Sequence, residues 1–163
     1  MPFAELTREE LMAKLGPTGS IGRCVLIFHW NNCGPCKRTM PEYIKAAEVS
    51  KEEFYSIERD QAMIAPSLLT AFEVRSFPTI VWIDRDSKHC PVFPKTVPRT
   101  AVNIGAWVKK LAKEAQLRDD TEKEDLTPLK QAQSSSPSFQ GAYRTLGDAV
   151  SQLAMSTGAT SEQ

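Results

Sequence analysis

Residues 28–41 read FHWNNCGPCKRTMP, with Cys33 and Cys36 separated by Gly34 and Pro35 and followed by Lys37. Two intervening residues bring the sulfurs close when the first cysteine sits just ahead of a helix and the second in its first turn. That spacing permits a disulfide. It leaves the first sulfur exposed and the second beneath it. A helix N-terminus offers unpaired backbone N–H groups and a partial positive charge. Both favour thiolate over thiol, so the first cysteine should ionise below the free value of ~8.5. The expected chemistry follows. Cys33 attacks a target disulfide and forms a mixed disulfide; Cys36 then attacks Cys33 and frees the reduced target. Pro35 stiffens the turn where a missing N–H goes unused, and Lys37 adds positive charge nearby.

Other chemistries compete for the same residues. A structural zinc needs four ligands, and the remaining candidates are Cys24, His29, His89 and Cys90. His89 and Cys90 are adjacent, a poor spacing for two ligands, and Cys24 falls in or beside a strand. An iron–sulfur site shared by two copies and a pair of unreactive cysteines are the other readings. The strand–CxxC–helix context favours redox, and no metal is expected. Cys24 reads as a small buried apolar residue. Cys90 stands at the start of an edge strand near a turn, a candidate for exposure, for a mixed disulfide or for a bridge between copies.

The elements that must position this motif can be read along the chain. Thr7 and Glu10 form a capping box, Leu11 and Leu15 carry helical spacing, and Gly16-Pro17 ends the helix. CVLIFHW is a strand apolar enough to be buried on both faces. From Cys36 a helical pattern runs through Met40, Tyr43, Ile44 and Ala47, with Pro41 inside it as a kink. EEFYSIER is a second strand and APSLLTAFEV a short helix. SFPTIVWID is a strand, and HCPVFP a return strand whose prolines suit an edge. Ala101 to Gln116 is an amphipathic helix with Val102, Trp107, Val108, Leu111 and Ala115 inward. PFAEL supplies a short first strand. Alternating helices and strands give a mixed sheet flanked by helices.

The chain has 163 residues, with twenty basic and twenty acidic side chains. This balance does not suggest a nucleic-acid binder. No apolar run approaches the ~18 residues of a membrane span, and the acidic N-terminus resembles neither a signal nor a transit peptide. A cytoplasmic location is expected, a reducing place where four cysteines need not form structural disulfides. The organisation expected is a domain over 1–117, a polar linker over 118–138 and a tail over 139–163. In the tail Phe139, Tyr143, Leu146, Val150 and Leu153 recur at steps of four and three, an a/d stripe suited to docking on a partner or a second copy.

Taken together, the residues resemble the thioredoxin family over roughly residues 2–117. CGPCK is that family's active-site motif. Pro41 stands eight residues after Cys33, where the family has its helix-kinking proline. VRSFPTIV is similar to the segment that ends in the family's cis-proline, which makes Pro78 the candidate. The resemblance implies an α/β thioredoxin fold with a C-terminal extension. It also implies a thiol–disulfide oxidoreductase that reduces or exchanges protein disulfides. Pro78 would face the CxxC turn, and a substrate strand would pair with the backbone of Phe77. Three departures stand out. Asn32 replaces the Trp that usually precedes the first cysteine, and His29 replaces another. Ile27 occupies the place of a buried Asp that deprotonates the second cysteine. Glu58 and His29 are the candidate substitutes for tuning the pair. The CGPC motif resembles reductant members, and Phe77 and Asn32 imply a reshaped groove with few targets. No flavin or nicotinamide fingerprint is present, so no cofactor is expected and electrons would come from a separate reductase or dithiol donor. The runner-up is a binding or structural component of a larger assembly, docked through its tail.

Overall fold

The computed structural model describes residues 3–16, 18–63, 66–87 and 90–124. The apolar stripe from Phe139 to Leu153, and His89, lie outside the described residues.

Among the described residues four strands and five helices follow in the order β1 (Phe3–Leu6), α1 (Arg8–Leu15), β2 (Arg23–His29), α2 (Gly34–Val49), β3 (Phe54–Glu58), α3 (Arg59–Met63), α4 (Pro66–Ala71), β4 (Thr79–Asp84) and α5 (Ala101–Glu124). The sheet order is β1-β3-β2-β4. β1 and β2 run parallel to β3, whereas β4 runs antiparallel to β2. This is the expected mixed sheet between helices, the thioredoxin-type α/β architecture. Thr7 caps α1 through the expected capping box, its side chain accepting from the Glu10 N–H.

β2 lies in the middle of the sheet, and its residues from Cys24 to His29 are buried. Alternate side chains therefore enter different cores. Cys24, Leu26 and Phe28 pack with Leu11, Leu15, Leu68, Phe72 and Ile83 on one face. Val25 and Ile27 pack with Tyr43, Phe54, Trp82, Ile104 and Val108 on the other. Each fully buried side chain of this size contributes about 1.5–3 kcal/mol. On the second face the Tyr43 hydroxyl donates to the Tyr55 carbonyl at 2.7 Å and lies 3.0 Å from that of Val25. It thereby ties α2 to two strands.

Three expectations need correction. Among the described residues the return strand is reduced to an isolated bridge, Val81 with Val92. Pro91 and Pro94 have no N–H to give, so the pairing keeps only Trp82 N–H to the Pro91 carbonyl (2.9 Å) and Phe93 N–H to the Ile80 carbonyl (2.8 Å). Val102 is 79% exposed, while Ile104 takes the inward position on α5. Finally, α5 continues past Gln116 to Glu124. The polar composition there serves ion pairs: Arg118 reaches Asp84 at 2.7 Å, and Arg23 reaches Asp119 at 2.6 Å. No helix of the described residues is long and apolar enough to cross a membrane.

Candidate active site

The cysteine pair lies where β2 hands over to α2. Cys33 is the N-cap of α2, and its sulfur accepts from the Cys36 backbone N–H at 3.2 Å. Pro35 lies in the first turn, where the helix has no use for an N–H. Cys33 and Cys36 are joined by a disulfide, with their Cα atoms 5.2 Å apart. Both cysteines are buried, which corrects the expected exposure of the first; Cys33, at 8%, still lies nearer the surface than Cys36, at 1%. Once the disulfide is reduced, the same backbone N–H and the partial positive end of α2 favour thiolate on the Cys33 sulfur.

The neighbours of the pair follow from the strand ends. The Phe77–Pro78 peptide is cis, and the Phe77 carbonyl oxygen lies 3.4 Å from Cys33 Sγ. Phe77 and Pro78 thus face the CxxC turn across a gap of one atomic contact. Gly34 is exposed. A methyl there would meet nothing nearer than Arg38 Nη1 at 3.7 Å, so the fold does not demand glycine; its small size keeps the surface beside Cys33 clear. Asn32 and Lys37 are exposed on either side. Lys37 joins His29, Trp30, Cys36, Met40, Pro41 and Ile44 around a cavity of about 570 Å³.

Glu58 stands opposite His29 on β3. Its carboxylate accepts from the Asn31 N–H at 3.3 Å and from the Asp60 N–H at 2.7 Å. It fixes the loop ahead of the cysteines and the start of α3. His29, by contrast, is buried, with Nε2 2.5 Å from Glu5 Oε1. Glu5 was not among the sequence candidates; the signal available was that Phe3 and Glu5 alternate onto one face of a short strand. Arg59 is a second omission, its guanidinium 4.8 Å from the centre of the Trp30 ring. Ile27 is wholly buried and apolar.

Cys24 and Cys90 are both free thiols in the core. The expectation of an exposed Cys90 is corrected: it is 0% exposed and packs with Cys24, Leu26 and Ile83. Burial pushes its thiol up to about 12. Burial pushes the Cys24 thiol up further, with Glu53 and Cys90 adding to the effect. Among the described residues no three or more His, Cys, Asp or Glu side chains gather as a metal site would need.

Comparison with known proteins agrees with this arrangement. The sequence model of the Thioredoxin family matches residues 4–110. Over 87 residues the chain is 34% identical to a thioredoxin of Mycoplasma pneumoniae, covering 52% of this chain and 82% of that one. Over 68 residues it is 34% identical to a probable protein disulfide-isomerase ER-60 of Schistosoma mansoni, covering 42% of this chain. The match spans only 14% of that isomerase. Among solved structures, chloroplastic thioredoxin z superposes with a TM-score of 0.54 at 22% identity, over 69% of this chain and 96% of that one. That likeness is one of fold.

Proposed function

The chain belongs to the thioredoxin family, and from that premise we propose that it reduces protein disulfides through Cys33 and Cys36. The observation that carries this reading is the asymmetry of the pair. Cys33 caps α2, is the more exposed sulfur and faces the Phe77 carbonyl; Cys36 lies beneath, already bonded to it. In the reduced protein the Cys33 thiolate attacks one sulfur of a target disulfide. The target's other sulfur leaves as a thiolate and takes a proton. Cys36, deprotonated, then attacks Cys33, and the remaining target sulfur leaves. Two protein thiols become one disulfide as one target disulfide becomes two thiols.

The target enters as an extended segment against Phe77 and Pro78, using main-chain hydrogen bonds as an added strand does. Asn32, Gly34 and Phe77 shape the groove, and Lys37 adds charge beside it. The cycle closes when a separate reductase or dithiol donor reduces Cys33–Cys36. The test is insulin-disulfide reduction with dithiothreitol as donor. Wild type should precipitate insulin well above the donor-only rate, and Cys33→Ser should fall to that background. Wild type at background would overturn the reading.

A further inference from the structure

We infer that His29, held by Glu5, is the group that takes the proton from Cys36 when Cys36 resolves the mixed disulfide. This deepens the reductase reading and rests on it. The problem to be solved is physical. Cys36 is 1% exposed, and burial disfavours the thiolate it must become. Where the resemblance would put a buried acid, the chain has Ile27, fully buried among apolar side chains. The proton therefore needs another acceptor within the same space.

His29 lines the same cavity as Cys36. Side chains alternate along β2, so His29 projects from the same face as Val25 and Ile27, the face covered by α2. It shares with Cys36 the wall of the cavity of about 570 Å³, which has ample room for bridging water. Its partner comes from two strands away. β1 and β2 are both paired to β3 and not to each other, so their backbones are about 10 Å apart. Glu5 reaches His29 diagonally across β3, over the small, buried Ser56 that stands in register with it and whose hydroxyl lies 3.5 Å from Glu5 Oε1. The Nε2–Oε1 distance is 2.5 Å.

This contact fixes the chemistry of the ring. A carboxylate only accepts, so Nε2 carries the hydrogen, and in the neutral ring Nδ1 keeps the lone pair. Nδ1 takes the Cys36 proton, directly or through a water. The Cys36 thiolate attacks Cys33 Sγ, the Cys33–target S–S bond breaks, and its electron pair leaves on the target thiolate. The imidazolium, stabilised by Glu5, gives the proton to that thiolate or to solvent past the half-exposed Glu5. Other charged groups around the ring are accounted for. Glu58, opposite His29 on β3, is held by two backbone N–H groups, and Lys37 of α2 lines the cavity. His29 is thus the proton acceptor and Glu5 its positioning residue.

An aromatic disulfide whose two halves absorb only when released separates the steps. The reduced protein should release the first half by Cys33 attack and the second by Cys36 resolution. In His29→Gln the first release should stay within about two-fold of wild type. The second should slow about ten-fold or more, toward the low end of general-base effects. Glu5→Gln, which removes the carboxylate that holds Nε2, should slow the second release while leaving the first within about two-fold of wild type; this variant carries the test if His29→Gln fails to fold. A second release with unchanged rate in either folded variant overturns the proposal. If wild type releases neither half, the reductase reading itself falls, a different outcome from loss of the second step alone.

Discussion

Cys33, Cys36 and Pro78 could be read from the sequence because local order determines their setting. A strand runs into a helix at CGPC, and one X-Pro bond opens another strand. Glu5 could not be read, because it lies 24 residues from His29 and reaches it across a strand that neither belongs to. Cys90 was misplaced for a related reason: its turn is short and polar, yet the thiol folds back into the core. That burial has a measurable consequence. An unfolded thiol ionises near ~8.5, whereas buried Cys90 ionises at about 12. Above the unfolded value the unfolded chain holds fewer protons than the native one, so stability falls with pH. The contribution is whole below about pH 8.5 and is lost as pH rises through about 12. Cys90→Ala, in the oxidised protein, should show a shallower alkaline loss of stability than wild type, by up to about 1.4 kcal/mol per pH unit. Urea denaturation across that range measures it; parallel curves would show that the thiol is already ionised or solvated when folded.

At the scale of elements, hydrophobic periodicity located the strands and α2 well, since buried faces leave a pattern in the chain. It failed where polar residues have tertiary partners. The end of α5 has the composition of a linker, but Asp84 on β4, fully buried, receives Arg118 at 2.7 Å and Arg23 at 3.2 Å. Arg118 also donates to Ser87 at 2.7 Å. These contacts join the helix to the sheet edge and carry it to Glu124. Asp84→Ala would leave both guanidinium groups without their buried acceptor. Because both arginines retain some solvent, the expected cost is about 2–3 kcal/mol, below that of a wholly buried pair. Amide exchange in residues 117–124 should speed up in this variant more than in residues 101–111. Uniform exchange along α5 would mean that the ion pairs do not hold its end.

For the whole molecule, the sheet presents one face to α1, α3 and α4 and the other to α2 and α5, with the cysteine pair at the C-terminal end of the central strand. The scaffold matches the thioredoxin family, and its departures fall on both sides of the pair: Asn32 and Phe77 beside Cys33, Ile27 and His29 along β2. On the proposal above, resolution by Cys36 is the step for which this chain uses its own pair, Glu5 and His29. Whether Cys33 is the attacking sulfur can be measured directly. Reduced Cys36→Ser protein is mixed with insulin, the alkylated adducts are digested, and the linked peptides are mapped by mass spectrometry. A mixed disulfide through Cys33, released by dithiothreitol and lacking in Cys33→Ser/Cys36→Ser, is the expected result. Linkage through Cys24 or Cys90, or no adduct at all from a folded protein, would contradict it.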